Sequence, residues 1–247
     1  MQGMSDFPLF YAPDVASTAS LPETEVAHCC RVLRLSAGEE IEVTDGQGHF
    51  YHARLTQVDK RGCSLELLQK NHWQPYWGGR ITIAIAPTKN MDRMEWMTEK
   101  LVEMGVDTIV FMQTSQCERK QIRADRIERI AVSAMKQSLK AYLPRIEVGR
   151  PFSDFVRSQS SSDSCRLIAH CSSQKDLPQR LPFHKLYKGQ EDVVVMIGPE
   201  GDFSLQEVQE AISFGFAPLS LGEARLRTET AALSALSWIH AIQQMRQ

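Results

Sequence analysis

The sequence predicts an α/β protein: a mainly parallel sheet with helices over residues 80–247, preceded by a small, mostly β domain over residues 1–72, with a linker over residues 73–79. Three observations carry this. Val193–Ile197 is an unbroken apolar run of β-favouring residues, as in a strand buried on both faces of a parallel sheet. From Ile81 onward, short apolar runs alternate with segments of helical spacing, the signature of strand–helix–strand units. Before residue 72 the pattern is different: short alternating runs separated by glycine-rich turns, which predict a small barrel.

In chain order, Pro8–Ala12 reads as an extended segment and Glu23–Leu35 as a helix. Glu40–Thr44 alternates into Asp45-Gly46-Gln47-Gly48, a hairpin signal. Phe50–Val58 and Cys63–Gln69 alternate in the same way around Asp59-Lys60-Arg61-Gly62. Asn71–Gly79 mixes proline, glycine and aromatics and marks the boundary between domains. Ile81–Ala86 is the next strand. Met94, Met97, Leu101 and Met104 then line one face of a helix over Met91–Met104, which Gly105 closes. Asp107–Met112 and Cys165–Cys171 are strands, Ala124–Ala141 is a long helix, and Ser158–Ser164 and Gln174–Gln190 read as exposed loops.

After Val193–Ile197 the chain turns at Gly198-Pro199-Glu200-Gly201. Ser204 and Glu207 have capping-box spacing, with Phe203 and Val208 placed as a hydrophobic staple and Gly215 as a left-handed end. A short strand over Pro218–Leu221 runs into Gly222, and Glu223–Thr230 leads to a closing helix. Two loops thus join the carboxyl end of a strand to the start of a helix, where open α/β sheets bind ligands. As a turn, Gly198-Pro199-Glu200-Gly201 needs only glycine's torsional freedom. As a site, its bare backbone lets a ligand approach closely. Thr228 or Thr230 could cap the closing helix. Arg227 and Glu229 are either an ion pair or two charges beside a ligand.

Composition narrows the classes. The 247 residues can bury one large core or two modest ones, and the net charge is −2. No transmembrane run is present and Met1–Ala19 lacks the pattern of a signal peptide, so the cytoplasm is the expected compartment. Six cysteines without CxxC spacing read as reduced thiols rather than as disulfides or zinc ligands. There is no Walker phosphate loop, no dinucleotide fingerprint, no HExxH and no nucleophile elbow. His170, at a strand end, reads as a core or rim histidine before a ligand contact. Between Glu118 and Arg145 there are eight Lys/Arg against three acids. A solvated helix face explains part of that excess, and a phosphate-binding surface explains it better.

The Gly198–Gly201 loop after a valine-rich strand, with Leu221-Gly222 and Leu226-Arg227-Thr228-Glu229-Thr230-Ala231 downstream, resembles the SPOUT methyltransferases. Within them it is most similar to the family of ribosomal RNA small-subunit methyltransferase E. The resemblance covers nearly the whole chain. It implies a C-terminal domain tied in a trefoil knot, S-adenosylmethionine held in the knotted loops, and a PUA-like RNA-binding barrel at the N-terminus. The HCCRVLRL stretch followed by a hairpin matches that barrel's usual opening. Two departures stand out: Asp202, where many relatives carry glycine, and Lys136-Gln137-Ser138, a variant of the family's motif.

What the family does sets the expectations for the site. They are methylation of N3 of a uridine (1498 in reference numbering) in 16S ribosomal RNA of the small subunit, homodimeric assembly, and no metal or membrane. Cofactor binding falls on Ile197, Gly198, Pro199, Glu200, Gly201, Leu221, Gly222, Leu226, Arg227, Thr228 and Thr230. Arg227 is the expected anion stabiliser, and Glu200 or Glu229 the candidate base. RNA binding falls on Arg31 and Arg34, three apart on a predicted helix, and on Arg119, Lys120, Arg123, Arg126 and Lys136. The closing helix offers Leu233, Leu236, Ile239 and Ile242 to a dimer or to its own core. The rival readings are a non-catalytic RNA-binding protein that keeps the knotted domain as scaffold, and a nucleotide-dependent oxidoreductase.

Overall fold

The structure, a computed structural model, describes residues 7–75, 78–118, 122–171 and 177–246. The chain divides into two compact units. One holds the residues up to Pro75 together with Val132–Leu143, and the other holds the remainder.

In the first unit the elements are β1 (Leu9–Tyr11), α1 (Val15–Thr18), β2 (Ser20–Leu21), α2 (Glu23–Ala27), a π-helical turn over His28–Val32, β3 (Glu40–Thr44), β4 (His49–Asp59) and β5 (Gly62–His72). They form a five-stranded sheet in the order β1-β3-β4-β5-β2. Register shifts between β4 and β5 at His52/Ala53 and Leu55/Gln57 bend it around a core of Phe10, Ile41, Val43, Tyr51, Ala53 and Leu55. The expected hairpin is present, and its turn is clamped. Gly48 N–H donates to Ala141 O at 2.9 Å and Leu143 N–H to Gly46 O at 2.9 Å. Gly46 and Gly48 both have positive φ, and a Cβ on Gly48 would lie 2.4 Å from the Tyr142 hydroxyl, so only glycine fits there. This clamp, with Lys136 gripping Glu25 at 2.7 Å, explains why residues 132–143 pack with the N-terminal unit. Sequence order alone assigned them to the other domain.

The second unit contains β6 (Ile81–Ile85), α3 (Met91–Met104), β7 (Thr108–Gln113), the start of α4 (Ala124–Gln137), β8 (Arg145–Pro151), α5 (Phe152–Ser158), β9 (Cys165–Ala169), β10 (Leu181–Pro182), α6 (Phe183–Leu186), β11 (Val193–Ile197), α7 (Leu205–Ser213), β12 (Ala217–Ser220) and α8 (Thr228–Gln244). Its seven strands are all parallel, in the order β10-β12-β9-β11-β6-β7-β8. β11 is central and buried throughout, paired with β6 on one side and β9 on the other. Its side chains alternate between faces. Val193, Val195 and Ile197 join Leu101 of α3 and Leu236 and Ile239 of α8, while Val194 and Met196 join Phe155 of α5 and Val208 of α7. Each such fully buried side chain contributes roughly 1.5–3 kcal/mol.

Several expectations change. The helix expected over Glu23–Leu35 ends its α-helical run at Ala27, and α4 stops at Gln137, followed by Leu139 at a φ of 53°. Gln174–Gln190, expected as an exposed loop, is structured where it is described. Phe183 and Tyr187 in it are buried in the main core, and Tyr187 accepts a 2.9 Å hydrogen bond from Gln243. Of the two placements open to the closing helix, Leu236, Ile239 and Ile242 take the one in its own core, with Leu233 partly buried against it. The large apolar side chains left exposed on α3 and α8 are Trp96 and Trp238. No helix among the described residues is long and apolar enough to cross a membrane.

Candidate functional site

A cleft of about 500 Å³ opens at the carboxyl ends of three adjacent parallel strands, β9, β11 and β12. That volume suits a nucleoside-sized ligand. Its walls are the segment after β9 (Ala169–Cys171), the turn after β11 (Gly198–Asp202) and the loop from β12 to α8. All three strand ends are evident from sequence, His170 marking that of β9, and the pairing of β9 with β11 and β12 sets them side by side.

Of the expected contact residues, Ile197, Gly198, Pro199, Glu200, Gly201, Leu221, Gly222, Leu226, Arg227 and Thr228 all line the cleft, as does Glu229. Thr230 is exposed and is not among the lining residues. Neither threonine caps α8. The N-cap is Arg227, in extended backbone (φ −72°, ψ 157°) and without a side-chain capping bond. Arg93 of α3, Arg180, His170 and Asp202 complete the lining. Nothing in local sequence marks Arg93 or Arg180, because each reaches the cleft from an element distant in the chain.

Asp202 explains its own departure from glycine. Its φ of 67° lies in the left-handed region, where glycine is at ease and aspartate is among the better-tolerated residues. Its carboxylate accepts hydrogen bonds from the Phe203 N–H and the Cys171 N–H, both at 2.8 Å. The residue that replaces glycine therefore ties the turn after β11 to the end of β9. Behind the turn, the capping box of α7 forms as expected, and Phe203 and Val208 are both buried. Glu207 does more than cap: it also accepts hydrogen bonds from the Ser115 N–H at 2.7 Å and the Ser115 hydroxyl at 3.0 Å. The neighbouring Gln116 backs the turn, since a Cβ on Gly201 would lie 2.6 Å from its Oε1.

The cleft holds polar groups without partners among the described residues. His170 is 4 % exposed and neither ring nitrogen is hydrogen-bonded. Burial pushes its pKa down, against the pull of Asp202, so the ring is neutral at pH 7. Glu229 is 7 % exposed, its Oε1 lies 3.7 Å from Arg93, and its Oε2 is buried and unpaired. Buried polar atoms are rarely left unsatisfied, and here they border a cavity, where a polar ligand would complete them. Gly222 offers a direct check. A Cβ there meets no protein atom within 4 Å, although its φ of 118° is strained for any other residue. Gly222→Val should stay folded yet lose ligand affinity at least tenfold. Calorimetry showing unchanged affinity in the folded variant would remove this loop from the site.

The basic residues divide. Arg31 and Arg34 are exposed, but they do not share a helix face: the helical turn ends at Val32 and Arg34 has a φ of 58°. Arg123 pairs with Asp125 and Arg126 with Glu95, all four on the second unit. The Arg123–Asp125 pair is exposed on both sides and contributes little, so a phosphate can displace it, whereas Arg126 is held by both oxygens of Glu95, whose side chain is only 16 % exposed. Lys136 differs, because its ammonium sits on both oxygens of the buried Glu25, at 2.7 and 2.8 Å. Its charge is already matched. Arg119 and Lys120 lie outside the described residues.

Comparison with known proteins agrees with both units. A family described as RNA methyltransferase domain matches residues 76–240, and one described as RNA methyltransferase PUA domain matches residues 21–68. The solved structure of a probable rRNA-methyltransferase from Porphyromonas gingivalis is similar at 47% identity and a TM-score of 0.88, covering 97% of this chain and 100% of that one. A ribosomal RNA small subunit methyltransferase E from Neisseria gonorrhoeae, solved bound to S-adenosyl methionine, is 30% identical with a TM-score of 0.81, covering 97% and 98%. The protein of that name from Synechocystis is 29% identical over 95% of this chain and 77% of its own length. With matching N-terminal and C-terminal domains and the strand-end cleft in place, the chain belongs to the ribosomal RNA small subunit methyltransferase E family of RNA methyltransferases.

Proposed function

We propose that the protein uses S-adenosylmethionine to methylate N3 of a uridine in 16S ribosomal RNA of the small subunit. The observation that carries this reading is the cleft at the ends of β9, β11 and β12, bordered by unpaired buried atoms of Glu229 and His170. The residues fit the cofactor. Leu221 and Leu226 are half-buried apolar walls for a flat base, and the turn at Gly198–Gly201 presents bare backbone. The free carboxylate oxygen of Glu229 suits a cationic group.

The cofactor supplies an already activated methyl group, so the chain's task is alignment and charge management. N3 of uracil carries a proton, and the base becomes anionic as that proton leaves. Arg227, exposed at the cleft where the loop meets the positive end of α8, stabilises that anion. Glu200 is the better placed base, because it is exposed on the cleft whereas Glu229 is buried beside Arg93. The N-terminal unit and Arg31, Arg34, Arg123 and Arg126 hold the flanking RNA. N3 lies on the pairing edge, so the uridine must be unpaired or flipped to be reached. The trefoil knot and a homodimer belong to the same proposal. Membership of the family supports the knot, and exposed Trp96 and Trp238 support a second copy.

Binding of adenosylmethionine and adenosylhomocysteine, but not NAD, is expected by calorimetry. Mass mapping of rRNA nucleosides from a deletion strain should show loss of one N3-methyluridine. A methyl group missing instead from C5 or from a ribose 2′-oxygen would refute the N3 assignment. RNA binding without cofactor binding would leave a scaffold.

A further inference from the structure

Within the N-terminal unit, the adjacent thiols of Cys29 and Cys30 converge with that of Cys63, which lies 33 positions after Cys30. The Sγ atoms of Cys29, Cys30 and Cys63 all lie within 4.8 Å of one another, and Cys30 and Cys63 are 3.8 Å apart. None is in a disulfide. Cys29 and Cys63 are buried and Cys30 is partly accessible, so the cluster is sheltered yet has a way in from solvent.

The backbone is arranged for this convergence. Adjacent side chains on an α-helix diverge by about 100°. Cys29 and Cys30 sit instead in the π-helical turn His28–Val32, a wider turn that brings consecutive side chains closer in direction. Such turns are uncommon and concentrate at functional sites. Cys63 is fixed in the sheet, paired with Val58 of β4 on one side and Leu21 of β2 on the other. Both halves are therefore held by rigid elements.

We propose that Cys29, Cys30 and Cys63 form a three-thiolate site for a soft, thiophilic cation, with monovalent copper as the preferred ion. Three sulfurs about 2.3 Å from a central ion in a trigonal plane stand roughly 4 Å apart, close to the spacing found. Structural zinc takes four ligands, and among the described residues no histidine, aspartate or glutamate donor joins the three sulfurs. All-thiolate donors favour copper(I) among the available soft ions. On binding, each ligating thiol gives its proton to solvent and no electron is transferred. The ion would staple the turn after α2 to the start of β5, stabilising the first unit by linkage.

The test is anaerobic titration of the reduced full-length protein with copper(I) against a chromophoric copper(I) chelator, with zinc alone as a parallel arm. One equivalent should be bound, with ultraviolet thiolate-to-copper absorption and a raised thermal midpoint. Cys30→Ser, at the accessible position, should weaken binding at least tenfold and abolish the thermal shift, while Cys171→Ser should change neither. Cys63→Ala, checked for folding by circular dichroism, should behave like Cys30→Ser. Three sulfur neighbours by X-ray absorption would support the site. Binding unchanged in Cys30→Ser, no competition with the chelator, or tighter binding of zinc than of copper would each overturn it.

Discussion

Arg227→Ala is expected to bind RNA within a few-fold of wild type while turnover falls about 100- to 1000-fold, the loss typical of removing one stabiliser of a developing anion. The structure makes this a clean substitution. Arg227 occupies the N-cap of α8, yet its side chain makes no capping bond, so alanine removes no support from the helix. The side chain is exposed, so truncation leaves no cavity. Binding should survive because the interaction is strongest when the uracil is anionic, a condition met only near the transition state. Arg227→Lys keeps the charge but not the planar, two-pronged donor, and should recover part of the rate. Single-turnover methylation with excess enzyme separates the chemical step from product release. Equal single-turnover rates for Arg227→Ala and wild type would exclude Arg227 from the chemistry.

The elements legible in the sequence were those whose signals are local. The range of α3 and its closure at Gly105 follow from methionine and leucine spacing and one left-handed glycine. β11 follows from five consecutive apolar residues, and the start of α7 from the spacing of Ser204 and Glu207. β8 carries no strand signal because it is an edge strand: Arg145, Glu147, Gly149, Arg150 and Pro151 break its pattern, and charges and proline are what an edge tolerates. Phe183 and Tyr187 were hidden among polar neighbours, although both are core residues. Their burial depends on partners such as Gln243, 56 positions away.

The site follows the same division. Glycines and charges in the two loops nearest the closing helix could be picked out because strand, turn and helix signals adjoin them. Arg93 and Arg180 could not, since each reaches the cleft from an element distant in the chain, α3 and the segment before β10, with no local signal beside it. Lys136 shows the converse. Its basic neighbourhood pointed to phosphate, but residues 132–143 pack against the N-terminal unit, where Glu25 already holds the ammonium. Asp202 looked like a departure to be tolerated. Its left-handed backbone and its two hydrogen bonds show it fastening the site.

Glu207→Ala is expected to lower stability, and its effect should reach the cleft. One carboxylate, 8 % exposed, gathers four donors: the Ser115 N–H and hydroxyl, and the Ser204 N–H and hydroxyl. The hydroxyls can turn elsewhere, but the two amides cannot, and each partly buried donor left unpaired costs about 1–3 kcal/mol. Loss of about 3 kcal/mol is therefore expected, read as a lower denaturant midpoint at constant slope. Glu207→Gln retains the shape but turns one oxygen into a donor facing donors, so about half that loss should remain. The same carboxylate fixes the Ser115 loop against the start of α7, and Gln116 of that loop backs Gly201. Once the tether is cut, the turn at Gly198–Gly201 loses its backing, so cofactor affinity should fall along with stability even though Glu207 does not line the cleft. Ser115→Ala keeps the amide bond and loses only a hydroxyl, and should leave both quantities nearly unchanged. A wild-type midpoint for Glu207→Ala would show that the tether carries no load. A lowered midpoint with unaltered cofactor affinity would show that the turn holds its shape without it.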